Sequence, residues 1–280
     1  MMAPGIYWMF GAVLSFVGMA IAARELSSEL NAVQILFWRS FAGAMLLPLL
    51  LSYYGWGQVK SSRYGMQISR STLHCIAQCG WFFGITMIPL AEVFALEFTG
   101  PIWTVFFAAL FLKERLSVRR LASVFIGFIG ILLILRPGTE IIDRASLVVL
   151  GSAALYALTY VMVRTLAQTD TPLCIMFYMT YVQLALSFLG ILMNWAVPSP
   201  SLWVWVLLVG AFGLGAHFCM AEALARSEAS AVIPIDFLRL PIIMVLAFFL
   251  YSEEFNPWLL AGASLIVLGN YWNARGSDSS

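Results

Sequence analysis

The sequence predicts an all-α integral membrane protein of ten transmembrane helices, arranged as two inverted five-helix repeats over residues 1–140 and 141–280. Three observations lead there. The chain is 62% hydrophobic and 10% charged, with a mean hydropathy of +0.91, where a soluble domain carries roughly 25% charged residues. It repeats itself once, without a gap, at an offset of 140 residues: Gly11 meets Gly151, Arg24 meets Arg164, Phe37 meets Phe177, Cys79 meets Cys219, Pro101 meets Pro241 and Glu114 meets Glu254. Finally, each half contains five apolar runs close to the roughly 20 residues that cross a bilayer core.

The first run, 4–23, ends near Ala20-Ile21-Ala22, which resembles a signal-peptidase site. No basic stretch precedes it and it is long enough to span, so it reads as a retained helix. The second, 32–54, stops at Tyr54-Gly55-Trp56-Gly57; a polar loop to Arg70 follows, too short to fold alone. The third and fourth, 71–88 and 91–112, precede a basic turn, and the fifth, 118–135, ends at Arg136-Pro137-Gly138. The second half gives 145–163, then 172–196 ending before Pro198-Ser199-Pro200, then 201–221, 229–250 and 257–273. Gly210, Gly213 and Gly215 in the eighth run suit close helix packing.

Five spans per repeat is an odd number, so the second repeat enters the membrane from the opposite side, a geometry that permits alternating access. With the amino terminus inside, the inner loops and tail hold ten basic residues, Lys60, Arg63, Arg70, Lys113, Arg115, Arg119, Arg120, Arg164, Arg226 and Arg275. The outer side holds Arg24, Arg136 and Arg144. That bias places both termini in the cytoplasm.

Charge within hydrocarbon is costly unless paired or facing a cavity. Arg39, Glu97, Asp236 and Arg239 fall within spans, as does His217. Counting about 1.5 Å per residue, Arg39 and Glu97 lie at matching outer depth and are expected to face each other. His217, Asp236 and Arg239 form an inner cluster, with Glu97 and Asp236 on opposite sides of the midplane. The functional reading is a polar cavity for a substrate carrying both charge signs; the alternative is ion pairs that lock helices together. His74, one turn from Arg70, reads as a surface or packing histidine.

Pro101 and Pro241 fall at matched places in the fourth and ninth spans, with Pro234 a second break in the ninth. Broken helices expose backbone polar groups to a cavity, so these prolines mark cavity-lining segments. Trp103 beside Pro101, and Trp38 with its repeat mate Tyr178, add aromatic candidates for substrate contact; Tyr181 and Gln183 share the seventh span. No Walker sequence and no metalloprotease motif occurs, no cofactor or metal is implied, and a net charge of +1 argues against nucleic acid.

The stretch Pro89-Leu90-Ala91-Glu92 to Pro101, then Ala109-Leu110-Phe111-Leu112-Lys113-Glu114-Arg115, Gly127-Phe128-Ile129-Gly130 and Leu135-Arg136-Pro137-Gly138 resembles the EamA repeat of the drug/metabolite transporter superfamily. Its second copy shows in Glu228-Ala229 to Pro234, Pro241, Glu253-Glu254 and Gly262 to Gly269, although Ser252-Glu253-Glu254-Phe255 lacks the basic residues of the first copy. The resemblance implies a ten-helix bundle of two inverted repeats in a bacterial inner membrane, with both ends cytoplasmic. It implies a metabolite carrier, often an exporter of amino acids or related compounds, while some members import nucleoside-like or vitamin-like compounds. Segments 71–112 and 201–250 would line its cavity.

The expectation is a secondary transporter of small polar or zwitterionic metabolites, with export favoured. The carboxylates would bind a cationic group or protons, and Arg239 and Arg39 a carboxylate. Its other partner is the lipid bilayer, and a monomer or homodimer suffices. An intramembrane enzyme or a non-transporting membrane partner are the alternatives. Glu97 and Asp236 at opposite depths would make a poor catalytic dyad.

Overall fold

A computed structural model of the chain describes residues 4–112, 118–135, 143–227, 232, 235–254 and 256–274. The helices are α1 (Pro4–Leu26), α2 (Ala32–Tyr54), α3 (Tyr64–Met87), α4 (Leu90–Glu97), α5 (Gly100–Leu112), α6 (Val118–Leu135), α7 (Arg144–Leu166), α8 (Pro172–Ile191), α9 (Trp203–Arg226), α10 (Arg239–Tyr251) and α11 (Pro257–Ala274). No strand occurs among the described residues. Six segments are long and apolar enough to cross a membrane: Gly5–Leu26, Ala32–Tyr54, Leu90–Phe107, Arg144–Leu166, Pro172–Ile191 and Pro200–Arg226. Mid-helix side chains face outward without cover: Leu49, Phe125 and Phe249 are 68%, 65% and 76% exposed. Such a surface is stable only against an apolar solvent, so this is a multi-pass membrane protein.

Local sequence starts the helices where polar residues can hold free N–H groups. Asn31 accepts from the N–H groups of Val33 and Gln34, while the Gln34 side chain accepts from the Asn31 N–H at 2.8 Å, a complete capping box ahead of α2. Asp143 caps α7 through Ala145, and Thr171 caps α8 through Cys174 with Pro172 in the first turn.

The third helix starts seven residues before the expected 71, because its polar residues belong to the helix and not to a loop. Gln67, Arg70, His74 and Gln78 repeat at helical spacing and are buried, whereas Ile68, Ile76 and Met87 of the same helix are exposed. The polar stripe faces inward and the apolar one outward, the reverse of a soluble amphipathic helix. Arg70, counted with the inner loop in the sequence, is therefore a buried helical residue.

The fourth span is interrupted at Phe98–Thr99, and the ninth at Phe237–Leu238. Helices pair closely: α1 runs along α9, α3 along α7, α6 along α11, and α2 against α8 and α9, while α4 contacts α10. At one end Arg24 donates to the Ile88 carbonyl at 2.6 Å and pairs with Glu253 at 3.3 Å; the same Glu253 oxygen accepts from the Leu90 N–H. Tyr251 adds a hydrogen bond to Glu25 at 2.8 Å. These contacts tie the end of α1, the α3–α4 turn and the end of α10 together.

At the opposite end Asp170, in the α7–α8 loop, accepts from Ser61, Gln67 and Thr169. Burial raises its pKa, but these hydrogen bonds and nearby Arg63 outweigh that, so the carboxyl titrates below the ordinary aspartate range. A depressed folded pKa means stability that is complete above the unfolded value of about 3.9 and is lost as pH falls through the folded value. Asp170→Asn is expected to flatten the acid side of a melting-temperature profile taken between neutral pH and pH 3. An unchanged profile would show that this loop does not limit acid stability.

Candidate functional site

The two helix breaks face each other. Where α4 ends, Thr99 Oγ1 donates to the Leu96 carbonyl at 2.7 Å, and Asn270 of α11 donates to the Phe98 carbonyl at 2.9 Å. The interruption thus keeps its backbone acceptors satisfied inside the protein. The Phe98 and Phe237 rings meet edge to face at 5.3 Å. Pro101 and Pro241 sit in the first turn of the half-helices that follow, where a missing N–H costs little, so they start helices and do not themselves form the break. Pro241 faces a groove beside α11, away from the central cavity. Pro234 lies outside the described residues.

Between the breaks, Arg239 is held by two carboxylates. Its Nη1 donates to Glu97 Oε1 at 3.0 Å and its Nη2 to Asp236 Oδ2 at 2.7 Å. The guanidinium also lies over the rings of Phe16 and Phe98, at 4.5 and 4.9 Å. Glu97 Oε2 accepts from the Trp81 indole at 2.8 Å. Glu97 and Asp236, expected at opposite depths, thus both bind one guanidinium. Arg239 is covered by its own partners.

Arg39 does not face Glu97. It is buried, and its Nη1 donates to Gln183 Oε1 at 2.9 Å. Arginine can only donate, so the other end of that amide, Nε2, donates to His74 Nδ1 at 2.8 Å, and a neutral His74 carries its proton on Nε2. The His74 ring stands 5.6 Å from His217 and 5.1 Å from Tyr156. His217 meets Phe16 edge to face at 5.7 Å, so it joins His74 and not the Asp236–Arg239 pair.

The two polar groups bound one narrow cavity of about 20 Å³, room for about one water molecule, lined by Phe16, Met19, His74, Gln78, Trp81, Glu97, Tyr156, Tyr160 and His217. Of the residues singled out in the sequence, Glu97 and His217 line it directly; Arg39, Asp236 and Arg239 stand behind its walls. Trp103 hydrogen-bonds Thr99 at 3.2 Å and is not part of the lining. Tyr178 packs on Tyr64 and Phe177 and is also outside it. His74, read as peripheral, is central. Trp81, Tyr156, Tyr160 and Gln78 carried no signal in an aromatic-rich chain; the inward polar stripe of α3 is the pattern that points to Gln78 and His74.

A cleft of about 340 Å³ shares Tyr160 and His217 with the cavity and runs past Arg70 to Ala167, Asp170 and Pro172. The cleft thus lies next to the cavity on the Asp170 side, while the Arg24–Glu253 contacts tie the helices together at the other end. Among the described residues no three His, Cys, Asp or Glu side chains are placed to hold a metal ion.

The model of the EamA-like transporter family matches this chain twice, over residues 3–136 and 143–275. The riboflavin transporter of Brucella anthropi is 30% identical, over 85% of this chain and 88% of its own. The S-adenosylmethionine uptake transporter of Rickettsia felis is 25% identical, over 94% of this chain and 90% of its own. A solved crystal structure at 16% identity covers 98% of this chain and 99% of its own with a TM-score of 0.71, a likeness in fold.

Proposed function

This chain belongs to the EamA-like transporter family, a transporter of small metabolites and not an enzyme, and from that premise we propose a secondary carrier that moves a polar metabolite with a flat heteroaromatic part by alternating access. The observation that carries this reading is the cavity itself. It is lined by Phe16, Trp81, Tyr156 and Tyr160 together with Glu97, His74 and His217, and it shares Tyr160 and His217 with a larger cleft toward Asp170, so a substrate enters it only when the helices around it move apart. Aromatic walls favour a planar solute, and a few fixed polar groups orient it. Riboflavin and S-adenosylmethionine, which the two relatives are named for, both contain fused heteroaromatic rings.

The architecture we propose is ten spans in two inverted repeats, with the amino terminus and the Asp170 end facing the cytoplasm of a bacterial inner membrane. Helix limits support the repeat: Pro4–Leu26 shifted by 140 residues coincides with Arg144–Leu166, and α3, α5 and α6 fall within one residue of α9, α10 and α11. The pairing of α1 with α9 is the image of α7 with α3 under that shift. In this reading the Arg24–Glu253 contacts are the outer gate in its closed form. One copy contains the whole cavity, so a monomer is the working unit. Glu97, which lines the cavity while bonded to Arg239, is the group proposed to exchange a proton or a substrate cation during the cycle.

The test is paired intracellular and extracellular metabolite profiling of cells expressing the wild type, Glu97→Gln or no carrier, at equal membrane levels. The wild type is expected to shift one compound class across the membrane, and Glu97→Gln to reduce that shift at least tenfold. The sequence expectation of export stands against a relative named for uptake, and the sign of the shift decides between them. Matching profiles in all three cell lines would remove the transport reading. Vesicle uptake indifferent to an imposed pH gradient would remove the proton.

A further inference from the structure

Among the described residues, Arg70 has no ion-pair partner. It is 5% exposed, its Nε and Nη1 are buried without a hydrogen-bond partner, and it lines the cleft that adjoins the cavity at Tyr160 and His217. The one carboxylate in the lining of that cleft, Asp170, is engaged by Ser61, Gln67 and Thr169 and makes no ion pair with Arg70. Deeper in, Arg39 has only the neutral Gln183 as a partner, with its Nε also unpaired. Both arginines stand close enough to His74 and His217 to act on them electrostatically. Around the cavity and cleft, Asp170 is thus held by Ser61, Gln67 and Thr169, and Glu97 and Asp236 are both taken up by Arg239, so neither Arg39 nor Arg70 has a carboxylate bonded to it among the described residues.

A guanidinium at this depth is expensive to leave unpaired, because it has lost water and gained nothing in exchange. Arginine is also the side chain whose fork fits a carboxylate or phosphate with two parallel hydrogen bonds. We propose that Arg70 is the anion-binding subsite of the transport pathway, and that the substrate carries a carboxylate or phosphate group which meets Arg70 while its ring lies against Tyr160 and His217. This deepens the transport reading given above and rests on it. The same chemistry could come from a lipid phosphate entering the cleft, and the experiment separates the two sources.

Cells expressing the wild type, Arg70→Gln, Arg70→Lys or no carrier are profiled as before, at equal membrane levels. The compounds moved by the wild type are expected to carry a carboxylate or phosphate. Arg70→Gln is expected to reduce their movement at least tenfold. Arg70→Lys keeps the charge but not the fork, and is expected to raise the half-saturating concentration about tenfold with little change in maximal rate. Should the glutamine variant fail to reach the membrane, the lysine variant carries the test: unchanged half-saturation would overturn the proposal. The compound so identified is then measured in vesicles of phosphatidylcholine alone and with added phosphatidylglycerol. Arg70-dependent transport in the neutral vesicles is the expected result. Dependence on Arg70 only when phosphatidylglycerol is present would assign the anion to lipid and overturn the proposal. If the wild type moves only compounds without either acidic group, or Arg70→Gln moves the acidic compound as the wild type does, the anion site falls while transport stands. If the wild type moves nothing, transport falls and the anion site with it.

Discussion

Arg239→Met is expected to lower the apparent melting temperature of the solubilised protein sharply, and Arg239→Met combined with Glu97→Gln and Asp236→Asn is expected to restore most of the loss. The reason is the geometry of the triad. Arg239 neutralises two carboxylates on opposite helix breaks and is enclosed by Phe16, Phe94 and Phe98. Removing it leaves two buried like charges, one of which already has an unpaired oxygen, Asp236 Oδ1. Truncating one member of a buried charge pair costs about 3–5 kcal/mol, most of it from the charge left behind. Neutralising all three removes that penalty while keeping the packing volume close to that of the native cluster. Transport is expected to be absent in both variants, because Glu97 is the carboxylate that reaches the cavity, and the single variant removes its partner while the triple variant removes its charge. Thermal unfolding followed by size-exclusion fluorescence measures the first effect and metabolite profiling the second. A single variant as stable as the wild type would mean that the triad contributes little to folding. A triple variant no better than the single one would place the cost in lost packing.

Much of this site is legible in the sequence as an inventory, and much less as a set of partners. Glu97, Asp236 and Arg239 stand out because each is costly in hydrocarbon, and the matched prolines point to the right two spans. Their pairing is not legible, because depth counted along a helix gives the side of the midplane and not how near two residues come. Eight residues from either surface is about 12 Å, and two such depths in a core of about 30 Å leave a gap of about 6 Å, which one arginine side chain can bridge. The breaks at Phe98–Thr99 and Phe237–Leu238 also move residues off the path that an unbroken helix would take. Arg70 and His74 were missed for a different reason. A run containing Gln67, Arg70, Ser71, His74 and Gln78 looks like a loop followed by a short span when apolar length is the criterion. It is a single helix whose polar stripe faces the protein interior, and only spacing distinguishes the two. Asn270, which holds the carbonyl at the first break from the far end of the chain, is a tertiary partner that no local pattern announces.

Gly262→Val is expected to abolish transport and to cost several degrees of thermal stability although it touches no residue of the cavity. A Cβ at position 262 would lie 2.5 Å from the Gly130 carbonyl oxygen and 3.3 Å from the Ile134 nitrogen; a Cβ at 130 would lie 2.6 Å from the Gly262 oxygen and 3.3 Å from the Ile266 nitrogen. The obstacles include backbone atoms on both sides, so no rotamer change can make room, and α6 and α11 have to separate. Between helices in a bilayer there is little hydrophobic gain to hold a loosened pair together, because lipid chains replace the lost contacts; close packing of small residues is what drives the association. Overpacking a tight contact costs about 1–3 kcal/mol. The functional loss follows from what α11 carries: Asn270, about two turns along from Gly262, donates to the Phe98 carbonyl at the break that positions Glu97. A shift of α11 therefore frees a backbone acceptor next to the charged triad. Gly151→Ala is the control, since a Cβ there meets nothing within 4 Å, and it is expected to leave both stability and transport unchanged. Equal behaviour of Gly262→Val and Gly151→Ala in thermal unfolding and in profiling would show that the α6–α11 contact does not position the site.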